Sequence, residues 1–559
     1  MNMKSSNETA SDTVLNESVA SVRKRAIAAA LDASEKVMVE STSLISYNCK
    51  NNVLVIGNDQ RVNHAVNKLS ATMNLTLLID NNEKKFDASS LPENITTSYG
   101  QLSDLSGHLG QFVAEIIVKK ETVNLAKLHN SMRDSFDLVI DLSNEPVFVS
   151  SLLPFGYFAP ENDLELEEAI VTIPDMIGEF EKPKFFEYNA SVCAHGNSGI
   201  SACQRCIDVC PADAITSIKD AIAVDPFLCQ GGGACATVCP SGAIQYVYPR
   251  LQDTLEKLRC ILKAYYAAGG QQAKIVFYGE EEISLLDNDE QGYYSDYIPF
   301  QLEETASAGM EVWLCAFAYG AHEVMLLIDD NSNSVVNQAL DTQLSYAHTI
   351  LEGMGYAASC LYRQSANPAT SKIHDSFNVV IPGTFMALND KRSALRMAVD
   401  HLYLHAPIPQ DIVSLPAGAP FGEVQVNKDK CTLCMACVSV CPAKALADGK
   451  ELPQLRFSEA NCVQCGLCSK ACPEVALTLS ARYNYAADIK RVQRILHEDE
   501  PFLCISCSKP FATHSVINKI TEKLKGHHMF QTGEAINRLK MCEDCRVSDM
   551  FSNEMGIAN

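Results

Sequence analysis

The amino-acid sequence predicts an α/β multidomain protein in which two cysteine-rich α+β modules alternate with α/β domains and a cysteine-knuckle segment closes the chain. Three observations carry that expectation. A run of the form C-x2-C-x2-C-x3-C-P occurs twice between Cys431 and Pro473, and a less regular version spans Cys193–Pro240. Short apolar runs alternate with helical periodicity ahead of each cysteine-rich region. Two C-x2-C pairs lie beyond the second region. The expected boundaries are a polar, partly helical segment at 1–50, an α/β domain at 51–180, the irregular module at 181–250, a second α/β domain at 251–424, the regular module at 425–485, and a helix plus knuckles at 486–559.

A chain of 559 residues is long enough for several domains. Its 47% hydrophobic and 20% charged residues are ordinary for globular protein. Near the start, Arg23-Lys24-Arg25 is followed only by a short Ala-rich stretch before Asp32, too short for the apolar core of a secretory signal. No apolar run approaches the roughly 18 residues of a membrane span. A cytoplasmic setting is therefore expected, and with it the reading that the 23 cysteines are reduced thiols that hold metal rather than disulfides. The net charge of −23 argues against nucleic acid and anionic membranes as partners. It favours protein partners with basic surfaces, and it equally keeps the chain soluble.

Along the chain, Val53-Leu54-Val55-Ile56-Gly57 reads as a strand, Arg61–Leu69 as a helix and Leu75–Ile79 as a second strand, a βαβ beginning. The glycine after the first strand lacks the G-x-G-x-x-G pattern, so a structural unit is favoured over dinucleotide binding. Phe112–Val118 and Phe136–Leu142 add strands.

The regular cysteine region supplies Cys431, Cys434, Cys437 and Cys441, then Cys462, Cys465, Cys468 and Cys472. This is the spacing of bacterial dicluster ferredoxins, in which the fourth cysteine of each run ligates the other cluster. Two [4Fe-4S] clusters follow, one on Cys431, Cys434, Cys437 and Cys472, the other on Cys462, Cys465, Cys468 and Cys441. The irregular region reads differently. Its first run has Cys203, Cys206 and Cys210, but Ile200 stands at the first ligand position; Cys193 is the substitute and His195 the runner-up. Its second run has Cys229, Cys235 and Cys239, with Gly232 at the second ligand position. Crossed ligation assigns one cluster to Cys193, Cys203, Cys206 and Cys239, and a three-thiolate cluster, [3Fe-4S] or [4Fe-4S], to Cys229, Cys235 and Cys210. The endings CPADAI, CPSGAI, CPAKAL and CPEVAL repeat one half-unit four times, and their Ala-Ile/Leu pairs are expected to pack beneath the clusters.

Between the modules, helices are predicted from Leu251 to Gly269, at Ser334–Gly353 and at Lys391–His405, with strands at Lys274–Tyr278, Glu311–Ala316, Glu323–Ile328 and Asn378–Ile381. That alternation predicts a parallel sheet. Cys260, Cys315 and Cys360 stand singly among apolar residues and read as small hydrophobes. Pro407, Pro409, Pro416 and Pro420 read as a stiff link. After a predicted helix at Ala486–His497, Cys504, Cys507, Cys542 and Cys545 suit a tetrahedral Zn²⁺ site, with rubredoxin-like iron, another cluster or no metal as alternatives. His514, His527 and His528 read as surface residues.

Several segments resemble a family of cytoplasmic multi-cluster ferredoxin-type proteins associated with formate dehydrogenase systems: GEFEKPKFFEYNASVCAHGNSG, CATVCPSGAIQYVYPR, NCVQCGLCSKACPE, EDEPFLCISCSKPFATHSVI and MCEDCRV. The resemblance runs from about Asp137 to Val547, and the family pattern would place a cysteine near Gly232. The segment WLCAFAYGAHEVMLLIDD is similar to the delta subunit of methyl-viologen-reducing hydrogenases without its cluster cysteines, which implies shared fold only. The function implied is a soluble carrier with up to four clusters, passing single electrons between a cytoplasmic dehydrogenase, such as formate dehydrogenase or its accessory proteins, and an acceptor. The alternatives are an oxidoreductase subunit with chemistry at the three-thiolate cluster, and a redox or maturation factor for a molybdenum or tungsten enzyme. No nucleophile–base pair, paired carboxylates or phosphate loop is present to assign catalytic residues.

Overall fold

Asn52–Ile56 is the centre of a five-stranded parallel sheet, ordered Thr96–Tyr99, Asn74–Ile79, Asn52–Ile56, Leu138–Asp141, Tyr157–Phe158. The structure, a computed structural model, describes residues 19–39, 42–58, 60–79, 92, 95–289, 292–328, 333–365, 380–386, 390–450, 452–530 and 532–554. All five residues of the central strand are buried because both faces of the sheet are covered, the usual reason for an unbroken apolar run. Val53 and Val55 face the helices Gln60–Leu69 and Asp163–Asp175, whereas Leu54 and Ile56 pack with Phe112, Ala114 and Ile116. Ala114 and Ile116 belong to a separate antiparallel sheet, Gln101–Ser106, Val113–Val118 and Glu121–Asn124, which takes the predicted strand at Phe112–Val118 out of the parallel sheet. The N-terminal region is not simply helical. Val19–Glu35 is a helix, but Leu44–Cys49 is a strand paired with Gly178–Pro183.

The second α/β sheet is parallel throughout, ordered Ile298–Gln301, Lys274–Tyr278, Glu323–Leu327, Leu361–Gln364. The helices Leu251–Ala267, Ser334–Glu352 and Lys391–Leu404 form where expected, and Ala26 and Ala30 of the N-terminal helix join the core of the first of them. Glu311–Ala316, expected as a strand, lies within the helix Met310–Ala318, every residue of which is buried. An element apolar on all sides carries no period that separates helix from strand, and the segment fails for that reason. Of the strand expected at Asn378–Ile381, residues 378–379 lie outside the described residues, and Val380-Ile381 is irregular. Cys315 and Cys360 are fully buried, as small hydrophobes; Cys260 is half-buried beside Glu256.

In both cysteine-rich modules, a strand near each end closes the unit around an inner hairpin. Phe186–Tyr188 pairs with Ile244–Tyr246 around the hairpin Ile215–Ile218/Ala221–Val224. Gly422–Val426 pairs with Leu477–Asn484 around the hairpin Leu446–Gly449/Leu452–Phe457. Two expectations near the second module change. Ile412–Ser414, within the proline-rich stretch read as a stiff link, is itself a strand on Leu477–Asn484, so the link is also an edge of the module's sheet. The helix predicted at Ala486–His497 shortens to Ala487–Arg491, and Arg494–Glu498 becomes a third strand on the inner hairpin. Pairing with an open strand edge there outweighs helix propensity.

The Lys391–Leu404 helix joins the modules. Lys391 Nζ donates to the carbonyls of Ala236 and Thr237 (2.7 and 2.6 Å) in the first module. The Arg392 guanidinium donates to Pro240 and Pro420 (both 3.1 Å) and to Ala460 and Cys462 (3.2 and 2.9 Å), so one side chain binds both modules. Arg392→Met removes four charged hydrogen bonds and leaves carbonyls unpaired. It is expected to cost at least about 2 kcal/mol in denaturant unfolding and to raise amide exchange at Cys239–Ser241 and Ala460–Cys462.

Candidate iron–sulfur and metal centres

In the second module, chain geometry gathers the thiols in crossed sets. Cys431, Cys434, Cys437 and Cys472 line one cavity with Leu433, Leu455 and Leu477. Cys441, Cys462, Cys465 and Cys468 line another with Ala445, Leu446, Leu467 and Leu479. The ligand loops reach this shape through left-handed residues: Met435 (φ 60°) and Gly466 (φ 85°) each precede the short helix that carries the third cysteine of a run. Burial raises the Cys437 thiol to about 12 and the Cys462 thiol to about 11, and neighbouring sulfurs add to each rise. A metal centre that binds such thiols releases their protons.

The first module repeats this arrangement with differences. The Cys206 thiol is raised to about 12 by burial and then by Cys239, Cys203 and Cys193, which places those four together. Cys193 follows a single turn, Ala190–Val192, capped by Asn189, and the hairpin Gly196–Asn197/Ile200–Ser201 carries the extra residues between it and Cys203. His195 is not a free ligand. It is buried, with Nδ1 on the Cys203 carbonyl and Nε2 on Ser217 Oγ, both at 2.7 Å, so it props the ligand loop.

The remaining three thiols, Cys210, Cys229 and Cys235, line a larger cavity, about 500 Å³ against about 340 and 350 Å³ for the pair in the second module. Gly232 lies on its wall, and a Cβ there would meet only Pro211 Cγ, at 3.9 Å. The other lining residues include Leu152, Phe185, Phe186 and Val209, with no His, Asp or Glu among them. Ala214 lies just before Ile215, and both Ile215 and Ile244 also line this cavity. Lys182 approaches from outside: its Nζ donates to the carbonyls of Phe227 and Cys229 (2.8 and 2.6 Å), and burial lowers it to about 8 while Cys229 opposes the shift.

The four sets form a chain of neighbours. The Cys235 thiol is affected by Cys206 and Cys239 of the adjoining set, and the Cys468 thiol by Cys437. Between modules, Arg205, which sits between Cys203 and Cys206, weakly opposes the burial that raises Cys465, and Lys470 Nζ donates to the Ser201 carbonyl (2.7 Å). Beyond the Cys431 set lies the C-terminal segment, where Thr513 Oγ1 donates to the Thr432 carbonyl (3.3 Å) and Lys519 pairs with Glu474.

Cys504, Cys507, Cys542 and Cys545 form a different kind of group, with all four sulfurs within 4.8 Å of one another and Cys507 and Cys542 at 3.6 Å. A tetrahedral ion with bonds of about 2.3 Å sets its sulfurs about 3.8 Å apart, so this group fits one metal ion. Among the described residues, no other group of three or more His, Cys, Asp or Glu side chains is that tight. Cys504 is pulled down to about 6: against desolvation, the N–H groups of Cys507, Cys542 and Ser506 point at its sulfur. His514 stacks edge-on against Phe502 and is not part of the group.

Sequence comparison agrees with the geometry. The family described as "4Fe-4S dicluster domain" matches residues 430–477, and "4Fe-4S binding domain" matches 222–245. The chain carries 4Fe-4S ferredoxin-type domains. A ferredoxin of Hydrogenibacillus schlegelii, named "Ferredoxin 7Fe", is 44% identical over 41 residues, which is 7% of this chain and 53% of that protein. The chain thus spans about half the length of this curated relative. The ferredoxin-type domains support an iron–sulfur electron-transfer role. Among the described residues, no helix is long and apolar enough to cross a membrane.

The anchors that sequence reasoning missed are Lys182, Lys391 and Arg392. Lys391 and Arg392 had a local signal, since they open the helix that Asp390 caps by accepting from the Ser393 N–H (3.0 Å), whereas Lys182 had none. The room at Gly232 gives a direct test. Gly232→Cys is expected to restore a fourth thiolate and raise iron by about one per chain if the native cluster holds three irons, with loss of the corresponding EPR signal; unchanged iron and EPR would mean the site already holds four.

Proposed function

We propose that this protein is a soluble relay that passes single electrons along four iron–sulfur clusters between a cytoplasmic dehydrogenase and an acceptor protein. The observation that carries this reading is the continuous order of the thiol sets, from Cys210/Cys229/Cys235 through Cys193/Cys203/Cys206/Cys239 and Cys441/Cys462/Cys465/Cys468 to Cys431/Cys434/Cys437/Cys472. When bound, the clusters supply reversible one-electron transfer at potentials set by charge, hydrogen bonding and solvent access. The chain's own part is to bind and space them. Apolar walls such as Leu446, Leu455, Leu477 and Ile244 exclude water from the sets, and Lys470 and Arg392 hold the two modules against each other. The relative's name states seven irons, a number that one [3Fe-4S] and one [4Fe-4S] cluster together supply, and the missing cysteine at Gly232 supports the same pairing in the first module.

The partner most in keeping with the resemblance of the sequence is a formate dehydrogenase or one of its accessory proteins. Docking by a chain of net charge −23 is electrostatic and weakens with salt. Anaerobic mixing with formate-reduced dehydrogenase is expected to bleach the visible absorption of the oxidised protein, faster at low ionic strength. A dehydrogenase that stays fully reduced beside an unbleached protein would eliminate this relay.

We also infer that the Cys504 group holds Zn²⁺ in a closed structural site, since four thiolates leave no open position. One zinc per chain is expected. Cys504→Ser or Cys542→Ser should lose it and loosen residues 499–545 to proteolysis while leaving the visible spectrum intact.

A further inference from the structure

We propose that the cavity between the Lys391–Leu404 helix and the second module is a binding site for one small oxyanion, either a carboxylate or an inorganic anion. The cavity, of about 300 Å³, is lined by Arg392, Arg396, Glu459, Arg482, Tyr483 and Lys490 among others. Four of these are cationic and one is acidic, in a chain whose net charge is −23. The nearby carboxylates are already engaged. Glu459 holds Arg482 (2.8 Å), Glu423 holds Arg482 and Arg494 (both 2.9 Å), and Asp400 holds Lys490 and Arg491 (2.8 and 2.7 Å). Asp390 accepts from the Ser393 N–H.

Arg392 and Arg396 remain without such a partner among the described residues. Their hydrogen bonds go to backbone carbonyls and to Ser393 Oγ. Two of the lining residues carry a polar atom that is buried and without a hydrogen-bond partner: Arg392 at Nε and Tyr483, a residue only 3% exposed, at its hydroxyl. Both can donate a hydrogen bond, and a buried donor left unpaired costs free energy that an acceptor would recover. An oxyanion meets both demands, offering lone pairs to the two donors and negative charge to the unpaired guanidinium groups. Arg392 also donates to the Cys462 carbonyl (2.9 Å), so an occupant of the cavity bears electrostatically on that thiol set.

The test is isothermal titration of the cluster-loaded full chain with acetate and, separately, nitrate, at constant ionic strength. Saturable binding with one site per chain is expected for at least one probe, and the preferred probe distinguishes a carboxylate from an inorganic ligand. Arg396→Gln is expected to weaken it at least tenfold. Tyr483→Phe, which removes an atom that bonds to nothing, is expected to weaken it severalfold with unchanged thermal stability. The proposal is overturned if neither probe binds saturably, or if Tyr483→Phe binds with wild-type affinity.

Discussion

The buried guanidinium of Arg392 holds carbonyl groups of both ferredoxin-type modules at once, and the relative placement of everything around the thiols follows from it. A cation bonded to carbonyls rather than to a carboxylate keeps its charge uncancelled, so the contact fixes geometry and also places positive charge beside thiols that become anionic on ligation. Lys391, one residue earlier, adds the carbonyls of Ala236 and Thr237. Both side chains come from the first turn of a helix in the second α/β domain. That domain therefore acts as a bracket that joins the modules, whatever its ancestry.

The two modules are built to different tolerances. In the second, each thiol set is closed by four cysteines on tight loops. In the first, the ligand loops depend on outside support: His195 props the Cys193–Cys203 hairpin, and Lys182, Tyr47 and Gln230 tie the Cys229 loop to the first α/β domain. The Tyr47 hydroxyl and Lys182 Nζ both donate to the Phe227 carbonyl. The loop that lacks a cysteine is thus also tied to the first α/β domain.

The C-terminal knuckles obey a different rule from the clusters. Four sulfurs drawn within 4.8 Å of one another fit a single ion, while the ferredoxin-type sets surround cavities. A small segment with few buried side chains gains little from apolar contacts alone, and the metal crosslink proposed for its four sulfurs would supply what its core lacks. Ile517 is the one buried residue of its longest helix but one, His514–Leu524.

The cysteine spacing alone determined which thiols belong to ferredoxin-type loops and which positions, Ile200 and Gly232, break the pattern, because ligand loops are local in sequence. Strands such as Asn52–Ile56 were legible for a similar reason, since a covered parallel strand is a continuous apolar run. Met310–Ala318 and Arg494–Glu498 were not: one is apolar on every side, and the other takes its state from a strand edge contributed by distant residues. Tertiary structure alone decided the order of the thiol sets, the role of His195 as a prop rather than a ligand, and the cationic wall around Arg392 and Tyr483. Each depends on groups tens to hundreds of residues apart that meet only after folding, and no local spacing encodes such a meeting.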